Sequence, residues 1–166
     1  MKNNKNTKVI KSYSNADFYK LRIYKDNRNK SGIYRWTNLI TGKSYAGSAK
    51  SLSDRLKIYY SLSAINKRLD KSSSIIYSAI LKYGYSNFSL DILEYCEPRS
   101  LIKREQYYLD LLNPKYNICK VAGSTLGKKH TIITKEKISF ALKNRKLSLE
   151  AIAKLKGRTL STETKT

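Results

Sequence analysis

Acidic residues and long apolar runs are both scarce in this sequence. No apolar stretch approaches the roughly 18–20 residues that a membrane-spanning helix requires, and no basic amphipathic helix shows a broad Trp, Phe or Leu face. The 166 residues carry 12 Asp and Glu against 34 Lys and Arg, a formal net charge of +22. Such an excess points to a polyanionic partner, DNA or RNA rather than a membrane surface. Codon usage in an AT-rich genome, which favours Lys, Asn, Ile and Tyr, is an alternative source of much of this charge.

Cysteine and histidine are also scarce, which argues against a zinc site. Cys96 and Cys119 stand alone without a CxxC pair, and His130 is the single histidine. Two reduced thiols fit an intracellular or organelle-matrix protein, as does the lack of a secretory signal with an apolar core of roughly 7–15 residues. The N-terminus is basic, but it is too rich in asparagine to make a convincing transit peptide.

Charge is densest at the two ends of the chain, so we divide the sequence into three parts. Residues 1–30 hold nine Lys and Arg and two Asp, net +7, and residues 121–166 hold eleven Lys and Arg and three Glu, net +8. The middle part is long enough for one compact domain. We therefore expect a basic N-terminal arm (1–30), a folded domain (31–120) and a basic tail (121–166) that contacts phosphate.

Local patterns in the middle part predict strands and helices in the order β-β-α-α-β-α. A turn at 38–43, in which Gly42 is free to take a positive φ, joins two short strands, and Ser51 with Asp54 forms a capping-box-like helix start. The predicted strands are 33–37, 44–47 and 88–95, and the predicted helices start near residues 52, 75 and 100. Gly84 stops the second helix, and Asn113-Pro114 ends the third. We expect an α+β fold with a small three-stranded, mainly antiparallel sheet flanked by helices and followed by an extended basic helical tail.

The third predicted helix carries a carboxylate inside an apolar stripe. At about 100° per residue, four apolar side chains fall on one face: Leu101, Tyr108, Leu109 and Leu112. Glu105 lies in the middle of this face, which is costly unless the carboxylate is paired, hydrogen-bonded or bound to a metal. One interpretation is an ordinary half-buried ion pair, with Lys103 or Arg104 as candidate cations. A functional carboxylate is the other interpretation.

Other polar-tipped side chains lie on short predicted elements of the same domain. Tyr34 and Tyr45 lie on the two hairpin strands, and Arg55 shares a helix face with Tyr59. An arginine in such a position is more often a surface residue with a buried stem. Together with Glu105, however, these groups suit phosphodiester hydrolysis, which needs a cation to offset transition-state charge, an oxygen ligand for a hard metal and a group that activates water.

Several of these residues lie in recognisable motifs. Gly-Ile-Tyr at 32–34, Tyr-Ala-Gly at 45–47 and Arg55 eight residues later resemble the GIY-YIG nuclease family. The resemblance is closer still to the endonucleases encoded within mobile group I introns of fungal mitochondria. It covers residues 31–120 and includes Glu105 in Arg-Glu-Gln-Tyr-Tyr and Asn117 in Tyr-Asn-Ile.

The resemblance implies a role for each motif residue. Tyr34 would act as the general base or orient the attacking water, Tyr45 would help hold water and phosphate, and Arg55 would stabilise the developing phosphate charge. Glu105 would bind a single divalent metal, for which Mg²⁺ is expected. Asn117 would complete the site.

Two positions depart from the family pattern. Ala46 replaces the usual Ile or Val between Tyr45 and Gly47, which thins the packing beneath the strand. Tyr59 stands where many relatives carry a histidine. Because a free phenol titrates near ~10, Tyr34 or Tyr59 needs a neighbouring cation to act as a base at neutral pH, and both remain candidates.

Loosely repeated basic units make up the tail. Each has a basic turn, then Ser or Thr as an N-cap, then a short basic helix such as the one predicted over 134–144. The units resemble modular DNA-binding repeats of intron-encoded nucleases, and a disordered basic tail is the alternative. The last unit stops at Thr166 before its helix, so we expect truncation relative to relatives. The residues expected to contact DNA are Gly47, Ser48, Lys128, Lys129, His130, Thr134, Lys135, Arg145, Lys146 and Arg158.

With the resemblance, the sequence predicts a metal-dependent, site-specific double-strand DNA endonuclease that hydrolyses phosphodiester bonds at an intron-insertion site. The implied partner is double-stranded DNA, with intron RNA as a further candidate and no membrane, and we expect a monomer. The implied location is the mitochondrion, where the protein would also be made. Two alternatives stay open: a catalytically decayed intron-encoded nucleic-acid-binding protein, and a structure-specific repair nuclease that cuts flaps or lesions regardless of sequence.

Overall fold

An antiparallel sheet of four strands forms the centre of the fold. The computed structural model of the protein describes residues 9–71, 74–124, 132–143 and 148–156. The strands are β1 (Lys11–Tyr13), β2 (Gly32–Asn38), β3 (Ser44–Ala49) and β4 (Phe88–Tyr95), in the sheet order β1-β4-β2-β3. The strands predicted from the sequence are present, and β1 adds a fourth from the segment assigned to the arm. Its three residues are too few to show a recognisable alternation.

The β2–β3 hairpin sets the register of the site. Gly42 takes a φ of +67°, as the turn requires, and Asn38 Oδ1 accepts the backbone N–H groups of Ile40 and Thr41 at 2.9 and 3.0 Å. In this register Tyr34 lies opposite Gly47. Because directly opposed residues share a face of the sheet, the Tyr34 ring lies over a residue that has no side chain.

Helices cover the sheet, and their ends follow the predicted signals. The helices of this unit are α1 (Lys20–Asp26), α2 (Leu52–Tyr59), α3 (Leu62–Lys71), α4 (Ile75–Tyr83) and α5 (Leu101–Leu112). Ser51 caps α2 by accepting the Asp54 N–H, as predicted. Gly84, at φ +75°, ends α4, and Asn113, in the left-handed conformation, ends α5 just before Pro114.

Apolar side chains pack against both faces of the sheet. On one face, Trp36 of β2 packs in a large cluster with side chains from α1, α2, α3 and α4. On the opposite face, Ile33 of β2 packs in a smaller cluster with Tyr108 of α5. The sheet therefore separates α2, which carries Arg55, from α5, which carries Glu105.

The described part of the expected N-terminal arm is folded onto the domain. β1 pairs with β4, and the Ala16 N–H donates to the Phe88 carbonyl at 2.9 Å. The Tyr60 hydroxyl, just after α2, donates to the Ala16 carbonyl at 2.6 Å. α1 packs along α2. Residues 9–30 thus support the helix that carries Arg55.

The chain divides into two units between Lys128 and Lys129, later than the boundary at 120 expected from the sequence. In the second unit, α6 spans Ile132–Lys143 and α7 spans Leu149–Lys156. The helix predicted over 134–144 is present as α6, but it begins at Ile132, so Thr134 lies in its first turn rather than at its N-cap. No helix in the ranges that the structure describes is long and apolar enough to cross a membrane.

Candidate active site

Arg55 holds the hydroxyl groups of two tyrosines in a hydrogen-bonded cluster. Its Nε donates to the Tyr34 hydroxyl at 3.1 Å and its Nη2 donates to the Tyr59 hydroxyl at 3.4 Å. The two hydroxyl oxygens lie 3.0 Å apart, and the Arg55 Cζ lies 5.1 Å from the centroid of the Tyr59 ring. β2 supplies Tyr34, and consecutive turns of α2 supply Arg55 and Tyr59. The structure thus brings together three of the residues predicted from the sequence.

Gly47 allows this cluster to form beside the hairpin. A Cβ at this position would lie 2.9 Å from the Tyr34 hydroxyl oxygen and 2.9 Å from Tyr45 Cε1. No side chain fits there unless a ring moves, so close approach, rather than backbone conformation, requires the glycine. Gly47, predicted to contact DNA, is buried beneath the two rings.

Burial keeps the phenols of Tyr34 and Tyr59 protonated at neutral pH. Both side chains are fully buried, and burial is the main cause that raises the pKa of each phenol above its ordinary value. The Arg55 cation lowers both pKa values, but by less. Burial is the largest single influence and by itself would lower the pKa of Arg55, but Tyr34, Tyr59 and Tyr77 together raise it by more, so Arg55 stays cationic. The cation that a tyrosine base would need is present, but it does not offset the burial.

Of the three phenols, Tyr45 is the one that is partly exposed. Its ring centroid lies 6.3 Å from that of Tyr34 and 6.5 Å from that of Tyr59. Burial raises the pKa of Tyr45, the Arg55 cation opposes this rise, and the Glu105 carboxylate adds to it. Tyr45 therefore lies within electrostatic range of both the cation and the carboxylate of the site.

Glu105 projects from α5 and is hydrogen-bonded to β3. Ser48 Oγ donates to Glu105 Oε2 at 2.6 Å, and the glutamate is half-buried. Glu105 takes part in none of the ion pairs formed among the described residues. Arg104 instead donates its Nε to Glu94 at 2.8 Å, so the ion-pair interpretation of Glu105 is wrong. Because an ionised carboxylate has about four acceptor sites, Glu105 keeps acceptor capacity for a ligand.

Asn117 clamps the edge strand that carries Tyr45. Its Oδ1 accepts the Ala46 N–H at 2.9 Å, and its Nδ2 donates to the Ala46 carbonyl at 2.8 Å. The neighbouring Tyr116 N–H donates to the Ser44 carbonyl at 2.9 Å. Both polar ends of the Asn117 amide are therefore engaged with β3, and the residue fixes that strand. Ala46 contributes its backbone, which explains why the missing larger side chain leaves the clamp intact.

A cavity of about 350 Å³ lies where these parts meet. Tyr45, Glu105 and Asn117 contribute to its lining, and residues of the segment 118–124 form a further wall. Tyr45 links the cavity to the cluster around Arg55. The cavity thus has a carboxylate in its lining and a fixed cation within electrostatic range of the same phenol.

The donor set at the cavity fits a metal that is bound through one carboxylate. Within the described part of the chain, no group of three or more His, Cys, Asp or Glu side chains could hold a metal ion, which excludes a dedicated cage there. Mg²⁺ is commonly held by one or two carboxylates together with water and substrate phosphate. Glu105 has spare acceptor capacity, and the Ser48 hydroxyl orients its carboxylate. These residues fit a single divalent metal shared with the substrate.

Two of the DNA contacts predicted in the tail fall within the described residues. Thr134 and Lys135 lie on α6 in the second unit, where Lys135 is exposed. The other predicted tail contacts fall outside the described residues: Lys128, Lys129, His130, Arg145, Lys146 and Arg158.

Two contacts of the site were not predicted from the sequence. They are the hydrogen bond between Ser48 and Glu105 and the clamp of Asn117 on Ala46. The partners stand 57 and 71 residues apart in the chain, so no local pattern signals either contact.

The chain is similar in sequence to known proteins. The GIY-YIG catalytic domain family matches residues 30–117, more than half of the chain. The chain is 32% identical over 159 residues to probable intron-encoded endonuclease bI1 of Neurospora crassa, covering 84% of this chain and 34% of that protein. It is 35% identical over 103 residues to intron-associated endonuclease 1 of Enterobacteria phage T4, covering 59% and 39%.

A solved structure of the catalytic domain of homing endonuclease I-TevI is 34% identical, with a TM-score of 0.43, over 54% of this chain and 99% of that one. The chain spans little more than a third of the length of the curated relatives that it matches. The family match extends from residue 30 to residue 117 and includes Tyr34, Tyr45, Arg55, Tyr59, Glu105 and Asn117, and on this match the chain belongs to the GIY-YIG family.

Proposed function

We propose that the protein is a metal-dependent, site-specific double-strand DNA endonuclease that acts at an intron-insertion site. The observation that carries the proposal is the position of Tyr45. It lines the same cavity as Glu105, and its ring lies beside that of Tyr34, whose hydroxyl accepts from Arg55. A phosphodiester at this cavity would meet a fixed cation and a ligand for a hard metal. The similarity to proteins described as intron-encoded and intron-associated endonucleases supports the choice of DNA and of an intron-related target.

Arg55 supplies positive charge that is in place before the reaction begins. Its guanidinium is half-buried and is held by the Tyr34 and Tyr59 hydroxyls. A donor fixed in this way stabilises the charge that develops on the phosphate without having to reorganise first. Loss of one such donor typically lowers kcat by about 10²- to 10³-fold.

Tyr34 and Tyr59 position Arg55 in this proposal rather than take a proton from water. Both phenols are fully buried and have raised pKa values, so they are protonated at neutral pH. Tyr45 is the partly exposed phenol at the cavity. In this proposal its hydroxyl donates to a phosphate oxygen or orients the attacking water.

Glu105, whose carboxylate is oriented by Ser48, would hold a divalent metal, and we assign Mg²⁺ to this site. When bound, the metal would supply Lewis-acid polarisation of the phosphate. Asn117 acts indirectly, because it holds the strand that carries Tyr45 and Ser48. Hydrolysis is expected to leave a 3′-hydroxyl and a 5′-phosphate.

The basic tail would hold the target duplex. Lys135 on α6 is an exposed cation among the predicted contacts. Neutralised phosphates release counterions, so affinity for the duplex should fall steeply between 50 and 200 mM salt, by roughly 10³-fold or more if six phosphates are contacted.

The mitochondrion would be the location of the protein. Cell fractionation tests this: the protein should follow a mitochondrial-matrix marker, and recovery in the cytosol would contradict the assignment.

The test of the function uses two plasmids that differ only in the intron. Purified protein is incubated with DNA that carries the uninterrupted insertion site or the intron-containing allele, with Mg²⁺ or with a chelator. We expect a double-strand cut in the uninterrupted site only, and only with Mg²⁺. Intact DNA that is bound equally well with chelator would indicate a non-catalytic binder. Cutting of flaps or lesions in unrelated sequence would indicate a repair-type nuclease instead.

A further inference from the structure

The segment 118–124 folds back along α5, where Gln106 holds it. Gln106 Nε2 donates to the Lys120 carbonyl at 3.1 Å, and Gln106 Oε1 accepts the Ala122 N–H at 2.8 Å. Nε2 also donates to Asp110 Oδ1 at 2.8 Å, which fixes the orientation of the amide. Both polar ends of Gln106 are therefore used in docking this segment.

Lys120 and Gly123 fasten the segment further to α5 and its C-terminal end. Lys120 Nζ donates to Asn113 Oδ1 at 3.2 Å and to the Pro114 carbonyl at 3.4 Å. Gly123, at φ +68°, lies against α5: a Cβ there would be 3.4 Å from Ile102 Cδ1. The segment is thus attached at several points rather than at Gln106 alone, although Gln106 makes the central pair of hydrogen bonds.

The docked segment forms a wall of the cavity that contains Glu105. Six of its residues line the cavity together with Tyr45 and Glu105. Gln106 directly follows Glu105 on α5, so the residue that docks the wall is next to the carboxylate in the cavity lining. The match to the GIY-YIG catalytic domain ends at residue 117, so this wall is built from chain beyond the matched residues.

We propose that Gln106 is a positioning residue that fixes the wall 118–124, and that the wall determines which phosphate of the DNA backbone lies at Glu105. This inference rests on the endonuclease function proposed above. If the wall were free to move, the DNA backbone could bind at several positions in the cavity. Cuts would then spread to neighbouring phosphates, while the groups that perform the chemistry would remain in place.

The test compares Gln106→Ala and Gln106→Glu in the full chain. Asn66→Ala is the control, because Asn66 is an exposed amide on α3. Hydrogen exchange at the amides of residues 120–122 reports docking. Steady-state kinetics on an end-labelled duplex give kcat and KM, and mapping both strands at nucleotide resolution gives the cut positions.

For Gln106→Ala we expect faster exchange at Ala122, a rise in KM of about tenfold and a kcat within about twofold of the wild type. Cuts should spread to phosphates adjacent to the wild-type position. Gln106→Glu keeps the acceptor for the Ala122 N–H but loses the donor to the Lys120 carbonyl. It should therefore show an intermediate rise in KM and an intermediate spread.

Three outcomes would overturn the proposal. Unchanged exchange would mean that Gln106 does not hold the wall. Faster exchange with unchanged KM and cut positions would mean that the wall plays no part in positioning DNA. A fall in kcat at constant KM and constant cut position would mean that Gln106 acts on the chemistry through Glu105. If the wild type cuts no duplex on the same gel, the endonuclease function itself fails, and the proposal fails with it.

Discussion

Replacing Asn117 with alanine should both destabilise the protein and stop it from cutting. The substitution removes the acceptor for the Ala46 N–H and the donor to the Ala46 carbonyl. Ala46 is fully buried, so both backbone groups lose their partners in a place where water has little access. An unsatisfied buried group costs about 1–3 kcal/mol, and limited relaxation at an edge strand reduces the total, so we expect a loss of about 2–4 kcal/mol in the free energy of unfolding.

The loss of activity should exceed what the fraction unfolded explains. Tyr45 and Gly47 flank Ala46 on β3, and Ser48 follows them, so an unclamped strand would displace Tyr45 and the partner of Glu105. Urea unfolding followed by circular dichroism gives the stability, and single-turnover cutting below the unfolding transition gives the activity. Asn66→Ala, which removes an exposed amide from α3, is the matched control and should change neither quantity by much. A loss below about 0.5 kcal/mol, or a destabilised variant that still cuts at the wild-type rate, would refute the clamp.

Two further substitutions test other parts of the site, and a third tests the stability of the fold. Gly47→Ala should lower the cutting rate with little loss of duplex affinity, because its Cβ would lie 2.9 Å from the Tyr34 hydroxyl oxygen; normal cutting rates would contradict this. Ser48→Ala should raise the Mg²⁺ concentration for half-maximal cutting by about 10- to 100-fold, because it removes the hydrogen bond that orients Glu105, and an unchanged metal titration would exclude that role. The pKa of Asp26 is lowered chiefly by its hydrogen bond to Lys11, so the ionised carboxylate stabilises the fold above its unfolded pKa. The wild type should therefore be more stable than Asp26→Asn at neutral pH. This difference in the free energy of unfolding should shrink as the pH falls through about 4. An advantage that stays constant from pH 7 to about 3 would contradict that assignment.

Local sequence signals were sufficient for most of the fold. The positive φ of Gly42, the cap at Ser51 and the stop at Gly84 each depend on residues within one turn of the chain, so each could be predicted and is present. β1 could not, because three residues in a basic, asparagine-rich stretch carry no alternation, and only pairing with β4 makes them a strand.

The membership of the site could be predicted, whereas the state of its groups could not. Tyr34 and Arg55 could be paired from motif spacing, but the complete burial that raises the pKa of Tyr34 depends on packing from both the hairpin and α2. The unpaired carboxylate in an apolar stripe was visible in the sequence. Its partner Ser48 stands 57 residues away, so only the fold could show that a hydroxyl rather than a cation meets Glu105.

In the proposed reaction, Arg55 and Glu105 serve the cutting of DNA rather than its binding. The most direct measurement is single-turnover cleavage of a saturated duplex that carries the insertion site, with binding measured in parallel, for Arg55→Ala and Glu105→Ala. Arg28→Ala and Glu97→Ala, which remove exposed side chains of the same charge, are the controls. We predict duplex affinity close to wild type and cutting reduced by at least about 10²-fold in both site variants, with near-normal cutting in both controls. Undiminished cutting by Arg55→Ala and Glu105→Ala would show that neither side chain serves the reaction.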